Sequence, residues 1–202
     1  MATWVWILIA IVVVVIVGLA VVAARQRRSA ALRERFGPEY DRAVASTEDR
    51  RAAEAELRER ERQHSLLELK ELPEAERARY AHDWQGIQEH FIDEPVEAVV
   101  SADGLVYSVM EARGYPMGDF DTQADLVSVD HPAVVDNYRF AHGVRERAQA
   151  QQASTEDLRD ALLRYRSLFS ELLGVPEDQV RVNATSRRTV TGNEEDVPDE
   201  QL

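Results

Sequence analysis

The 202-residue sequence contains no cysteine, and its first 24 residues contain no charged side chain. Without cysteine the chain cannot form a disulfide scaffold, a cysteine-ligated metal site or a thiol enzyme. Basic residues are also the minority, since 24 Lys and Arg stand against 37 Asp and Glu for a net charge of −13. Because polyanion binding requires a net basic footprint, this balance argues against nucleic acid as a partner. The confinement of charge to the region beyond residue 24 also excludes an ordinary soluble globule.

Residues 2–24 predict a transmembrane helix. As a helix, this uncharged segment would span roughly 34 Å, enough for a hydrocarbon core of about 30 Å. Indole side chains at one end favour the headgroup layer, and arginines at the other end favour the cytoplasmic side of the membrane. The predicted anchor residues are Trp4, Trp6, Arg25, Arg27 and Arg28. We therefore predict a single-pass protein of the cell membrane with its N-terminus outside and residues 25–202 in the cytoplasm.

A cleaved secretory signal is the alternative interpretation of this segment, because Val22 and Ala24 have the small-residue spacing of a cleavage site. Secretory signals carry a basic n-region and an apolar stretch of only about 7–15 residues. This segment has no Lys or Arg before its apolar run, and the run is longer. An uncleaved anchor is therefore favoured.

Residues 25–64, with 11 basic and 9 acidic side chains, predict a charged juxtamembrane helical stalk. Pro38 should separate it from the helix that leaves the membrane. Ser46 is the predicted N-cap of the stalk helix, with Asp49 at the third position of a capping box. The apolar side chains on this helix are small and few, so it has a thin apolar stripe and at most a weak coiled coil.

Residues 65–174 predict a compact, all-helical domain of about five helices, with 10 basic and 21 acidic side chains. Pro73 should open the first helix, and Asp93 and Asp130 should cap later ones. Gly114 should end the helix that follows Asp93, and the buried stripe of that helix should comprise Val96, Val99, Ala102, Val106, Val109 and Met110. The last helix has the clearest pattern, from the N-cap Ser154 to Gly174 at its C-terminal end. Its apolar residues recur at helical spacing, at Leu158, Ala161, Leu162, Tyr165, Leu168, Phe169 and Leu172.

Residues 175–202 form an acidic tail that lacks spaced apolar groups and is predicted to be disordered. The string Ser186-Arg187-Arg188-Thr189 within it has the basic-then-hydroxyl pattern that kinases use, although polar tails contain such strings by chance.

Several motifs in order along residues 25–174 carry a family resemblance. They are LRERFGPEYDRAV at 32–44, WQGIQEHFIDEP at 84–95, ADGLV at 102–106, RGYP at 113–116, SVDHPAVVDNYRFAH at 128–142 and STEDLRDALLRYRSLFSELL at 154–173. Together they resemble a family of small membrane-anchored actinobacterial proteins of unknown function. The resemblance implies a single-pass helical protein and carries over no catalytic role.

Acidic side chains and histidines between Tyr80 and Tyr138 are one candidate for chemistry, because carboxylate and imidazole together hold divalent metals. The weak metal-ligand candidates are His82, Asp83, His90 and Asp93. The adjacent His82–Asp83 pair also matches part of the HD phosphohydrolase pattern, with His64 and a later aspartate in the outer positions. The alternative is a solvated acidic surface, which we favour, and we expect no cofactor.

The last two helices supply a second candidate, because basic and aromatic residues alternate there. The predicted partner-binding residues are Tyr138, Arg139, His142, Arg145 and Arg166, which could bind an acidic peptide. The alternative is intramolecular: the arginines pair with nearby acids, and the tyrosines at 138 and 165 fill the core.

Nucleophilic catalysis has no support, since the sequence has neither a G-x-S-x-G motif nor a Gly-rich phosphate loop. The expected function is a non-catalytic adaptor or scaffold that associates with the lipid bilayer and with protein partners. The alternative is a metal-dependent hydrolase that uses the acidic helices with His82 and His90.

Overall fold

The computed structural model describes residues 3–47 and 49–176. Over these residues the chain is all-helical, as predicted, with eight helices. They are α1 (Thr3–Phe36), α2 (Pro38–Ser46), α3 (Arg50–His64), α4 (Glu74–His90), α5 (Pro95–Arg113), α6 (Phe120–Asp130), α7 (Val135–Gln149) and α8 (Thr155–Leu173). The predicted disordered tail lies outside the described residues, apart from Val175 and Pro176.

Helix α1 carries the uncharged segment. Within the described part of the chain, it is the one helix long and apolar enough to cross a membrane by length and composition. Its most apolar 18-residue window has a mean hydropathy of 3.4, and none of that window is buried in the protein. At about 1.5 Å per residue, the residues from Arg25 to Phe36 extend α1 roughly 18 Å beyond the apolar run.

The chain forms two compact units. Among the described residues, the first comprises the chain up to Leu66 together with Asp125–Ala133, and the second comprises Leu67–Ala124 together with the chain from Val134 onward. Helices α1, α2 and α3 therefore belong to the first unit, together with the second half of α6. Helices α4, α5, α7 and α8 belong to the second.

The first unit differs from the predicted stalk over residues 25–64, because it has a hydrophobic core. Helices α1, α2 and α3 each contribute one or two large side chains, and α6 contributes one more. Within residues 25–64, each helix has only a thin apolar stripe, but these stripes pack against one another. The buried core residues are Leu32, Phe36, Tyr40, Ala43, Ala53, Leu57 and Val129.

Partly buried polar contacts join the elements of the first unit. Arg60 on α3 donates from Nη1 to the fully buried Glu39 on α2 at 2.8 Å, and its Nη2 lies 3.0 Å from Asp125 on α6. One helix turn later, His64 Nε2 lies 2.8 Å from Asp130. The segment 125–133 is thus held to α3 by charge as well as by the packing of Val129.

The N-cap predicted at Ser46 is wrong. Because Pro38 starts a separate helix, residues 38–46 are used in α2, and Ser46 is its last residue. Asp49 is the N-cap of α3, and its side chain accepts a hydrogen bond from the Arg51 backbone N–H at 2.9 Å.

The second unit packs around Trp84, which is fully buried and stacks on Phe169 with ring centroids 4.8 Å apart. The predicted stripe of α8 is confirmed, since every residue in it is buried. The stripe of α5 is confirmed from Val99 to Met110, whereas Val96, which we also predicted to be buried, is 37% exposed.

Local signals placed several helix ends correctly in the second unit. Pro73 precedes α4, Gly114 ends α5 in the left-handed conformation, and Ser154 forms a full capping box at the start of α8. The caps predicted at Asp93 and Asp130 are wrong. Asp93 belongs to the turn after α4, where its N–H donates to the His90 carbonyl, and Asp130 ends α6 because Pro132 follows in a turn.

Candidate functional site

A groove of about 1120 Å³ lies between α1 and α3 in the first unit, directly after the uncharged run. Its lining begins at Val22 and is dominated by charge. The charged lining residues are Arg25, Arg28, Arg33, Glu34, Arg50, Arg51, Glu54 and Arg58, which we call the arginine groove. Six arginines against two glutamates give it a net charge of +4.

Helical spacing produces both walls of the arginine groove. On α1, Arg25 and Arg33 are two i,i+4 steps apart, and the same spacing on α3 relates Arg50 to Arg58. Residues at this spacing lie on one face of a helix. Arg35 on α1 pairs with Glu61 on α3 at 3.4 Å, further along both helices. Together with the earlier contact between Ser29 and Glu54, this pairing shows that the two helices run in the same direction.

Glu54 is the best-connected acid of the groove. Its Oε1 accepts hydrogen bonds from Tyr40 Oη at 2.9 Å and from Arg50 Nε at 3.0 Å, and Arg58 lies 3.8 Å from Oε2. Burial acts to raise the pKa of Glu54, but hydrogen bonds from Ser29, Tyr40 and Arg50 outweigh it, so the pKa lies below its usual value. Glu54 is therefore ionised at neutral pH and already bound to two of the six arginines.

Three groove arginines remain available. The side chains of Arg25, Arg28 and Arg51 are exposed, and the described residues provide no hydrogen-bond or ion-pair partner for them. A guanidinium group presents a planar fork of donors that matches carboxylate and phosphate oxygens. The arrangement is therefore suited to binding an anion.

The predicted anchor residues divide between the two ends of α1. Arg25 and Arg28 line the groove, whereas Arg27 does not. Trp4 and Trp6 are exposed near the start of α1. Sequence reasoning missed Arg50, Arg51 and Arg58 as part of this site, because only the packing of α3 against α1 brings them to it.

The metal candidates lie on a different surface, in the second unit. His82, Asp83 and His90 line a shallow groove of about 660 Å³ between α4 and α5, and Asp93 lies outside it. Because His90 follows His82 by eight positions on one helix, their backbones are about 12 Å apart along its axis. Among the described residues, no group of three or more His, Cys, Asp or Glu side chains is placed to hold a metal ion.

The predicted partner-binding residues are turned largely toward the protein itself. Tyr138 is buried, Arg139 Nη1 lies 3.4 Å from Asp136, and Arg166 is half-buried. His142 and Arg145 both contact Asp103 on α5, at 3.3 and 3.4 Å. This placement corresponds to the intramolecular alternative.

Asp103 is the centre of this polar cluster, and sequence reasoning did not single it out. It accepts a hydrogen bond from Tyr165 Oη at 2.7 Å in addition to its contacts with His142 and Arg145. Burial acts to raise the pKa of Asp103, but the hydrogen bonds from His142 and Tyr165 and the charge of Arg145 hold it below its usual value. The available signal was its position beside Ala102 in the apolar stripe of α5, where a lone acid requires partners.

The tyrosines of the cluster are neutral. Burial, and then the charge of Asp103, raises the pKa of Tyr138 and Tyr165 well above the usual value. Phe120 stacks on the His142 ring with centroids 3.7 Å apart, which covers the cluster on one side. The cluster is therefore a partly buried polar network centred on Asp103.

Comparison with protein-family models, curated proteins and solved structures found no match. The resemblance to the actinobacterial family thus stays a prediction, and function must be inferred from the charges and geometry of the described residues.

Proposed function

We propose that the protein is a single-pass membrane protein that serves as a non-catalytic adaptor or scaffold for other proteins. The observation that carries this proposal is the continuity of α1. The same helix contains the apolar run and, at Leu32 and Phe36, part of the buried core of the first unit. A folded unit is thereby fixed to the anchor without a flexible linker, which suits a protein that presents a surface at a set distance from the bilayer.

The proposed orientation puts the N-terminus outside and the helical units in the cytoplasm, at the cell membrane. Its support is the cluster Arg25, Arg27 and Arg28 directly after the apolar run, with no basic side chain before it. Because the chain has no cysteine, Ala55→Cys in the exposed part of α3 provides a clean labelling site. A membrane-impermeant maleimide should label it only after the cells are permeabilised, whereas Ala2→Cys should be labelled in intact cells. Labelling of Ala55→Cys in intact cells would reverse the orientation.

The proposed partners of the adaptor are proteins with a basic surface. The predicted all-helical domain, residues 65–174, carries 21 acidic against 10 basic side chains. Such an imbalance of charge steers association with basic partners. A photo-crosslinking residue in place of Ile92, which is 83% exposed, samples this acidic surface in living cells. We expect discrete crosslinked species that disappear when the neighbouring Asp93 is changed to Lys. The same probe at Ala55 is the control, and an identical pattern at both positions would contradict the proposal.

A metal-dependent hydrolase is the second candidate function, and its support is that His82, Asp83 and His90 line one groove. It requires that Mn²⁺ or Zn²⁺ raise the melting temperature of the protein, and that His82→Ala abolish the increase. A metal-dependent shift that His82→Ala removes would favour this candidate over the adaptor.

A further inference from the structure

We propose that the arginine groove binds the phosphate-bearing headgroup of an anionic phospholipid. The inference uses the membrane anchor of the proposed function but is independent of the adaptor role. It rests on the charge of the groove, on its position along α1 and on its size.

The charge of the groove exceeds what its own acids neutralise. Glu54 is bonded to Arg50 and lies near Arg58, and the exposed Arg33 lies 3.7 Å from Asp41. That leaves Arg25, Arg28 and Arg51 to meet an added anion. Asp49 already caps the start of α3, so the anion would be held by guanidinium side chains and not by the helix N-terminus. Guanidinium groups bind phosphate oxygens through paired, charge-assisted hydrogen bonds.

The position of the groove selects a lipid over a soluble anion. Its lining starts at Val22, inside the apolar run, and Arg25 is the first charged side chain of the sequence. If α1 spans the bilayer, its boundary between apolar and charged residues lies at the headgroup layer. A groove that opens at this depth meets headgroups at a high local concentration, and basic pockets beside transmembrane helices are a known form of headgroup site.

The size of the groove fits a headgroup better than a simple ion. Pockets for small molecules measure about 300–1000 Å³, and the arginine groove reaches about 1120 Å³. Inorganic phosphate would fill a small part of this volume and could contact only a few of the arginines. A glycerol-phosphate headgroup extends further. The acyl chains of the lipid could lie against the apolar surface of α1, because none of the most apolar window of α1 is buried in the protein.

Arg27 provides a matched control for simple electrostatic attraction to the membrane. It lies on α1 between Arg25 and Arg28, it is exposed, and it does not line the groove. Substitution of Arg27 removes one positive charge at the same depth and leaves the groove intact. A specific site and a diffuse basic patch therefore predict different results for Arg25→Gln and Arg27→Gln.

The test is native mass spectrometry of the full-length protein in detergent, titrated with phosphatidylglycerol or phosphatidylcholine. We expect one phosphatidylglycerol to be retained in preference to phosphatidylcholine. Arg25→Gln alone should weaken this binding at least about tenfold, since a charge-assisted contact is lost, and adding Arg51→Gln should weaken it further. Arg27→Gln should change it by less than about twofold. Arg25→Lys with Arg51→Lys, which keeps the charge but not the planar fork, should give an intermediate loss.

Each alternative has its own outcome in this experiment. Equal binding of the two lipids, or an equal loss in Arg27→Gln, would overturn the groove as a specific site. Competition by millimolar inorganic phosphate or glycerol phosphate would show that the groove takes a free phosphate, and would overturn the assignment to a lipid. Neither result depends on crosslinking from Ile92, so failure of this inference is distinct from failure of the adaptor proposal.

Discussion

At the scale of single residues, the polar interior of the second unit depends on one carboxylate. Asp103 accepts a hydrogen bond from the Tyr165 hydroxyl and lies within 3.4 Å of His142 and Arg145. Removal of one partner from a buried network leaves the remaining polar groups without hydrogen-bond or charge partners. The free energy lost in this way commonly exceeds the net contribution of the hydrogen bonds themselves. The arrangement explains why an acid is accommodated next to the apolar stripe of α5.

Asp103→Asn should therefore destabilise the second unit by roughly 2–3 kcal/mol, because the amide cannot replace the charge that faces Arg145. Asp83→Asn is the matched control: Asp83 is exposed on α4, has no partner among the described residues, and should change stability by less than about 0.5 kcal/mol. Urea unfolding followed by Trp84 fluorescence measures both, in a background where Trp4 and Trp6 are replaced by Phe. Equal effects of the two substitutions would show that the network is unimportant for stability.

The lowered pKa of Asp103 predicts a pH dependence with a definite sign. In the unfolded chain this carboxyl titrates near its reference value of about 3.9, and in the folded state it titrates lower. The contribution of Asp103 to the free energy of unfolding is therefore fully present above about pH 4, and it declines as the pH falls through the pKa of the folded state. We expect the stability difference between wild type and Asp103→Asn to shrink as the pH falls below about pH 4. A difference that grows toward acid pH would contradict this assignment.

At the scale of helices and connectors, the end of α5 is fixed by one glycine. Gly114 has a φ of +97°, and a Cβ at this position would lie 2.8 Å from the backbone carbonyl oxygen of Glu68. The connector before α4 runs alongside, since the Lys70 N–H donates to the Arg113 carbonyl at 2.8 Å. A side chain at 114 would thus strain the backbone and push against a segment that cannot yield easily.

Gly114→Ala should cost at least about 1–3 kcal/mol from the backbone conformation alone. Gly104 in the same helix is the control, because a Cβ there meets nothing within 4 Å and the residue is helical. Gly104→Ala should instead stabilise the unit by roughly 0.5–1 kcal/mol. The midpoints of urea unfolding of the two variants should therefore shift in opposite directions, and a shift of both in one direction would refute the explanation.

At the ends of the helices, the sequence predicts some boundary residues correctly and others wrongly. Gly114, Gly174 and Ser154 were identified because a left-handed residue or a capping box is encoded by neighbours within a few positions. Asp93 and Asp130 also have the chemistry of a cap, but a turn after α4 and Pro132 after α6 place them at helix ends and not at helix starts. Local chemistry predicts that a boundary exists more reliably than it predicts which side of the boundary a residue occupies.

At the scale of the whole molecule, the first unit is built from two segments that are far apart in the sequence. Residues 125–133 follow the start of the second unit in sequence but cluster with residues 1–66. The sequence predicted a stalk because the apolar residues of 25–64 are sparse. No local sequence pattern indicates that Val129 packs with them to complete a hydrophobic core. The arginine groove depends on the same tertiary event, since it exists only once α3 packs against α1.

Residues 125–133 should therefore report on the stability of the first unit's core, although most of that core lies far away in the sequence. Leu57 is 0% exposed in that core, and Leu57→Ala should cost about 2–5 kcal/mol through lost burial and the cavity left behind. Because one cooperative unit opens together, amide hydrogen exchange should accelerate both in α3 and in residues 125–133, some 70 positions further along the chain. Leu66→Ala, at a leucine of the same unit that is 75% exposed, should leave both segments unchanged. Acceleration confined to α3 would mean that residues 125–133 are not part of the first cooperative unit, and that residues 25–64 behave as the independent helical stalk that their charge pattern predicts.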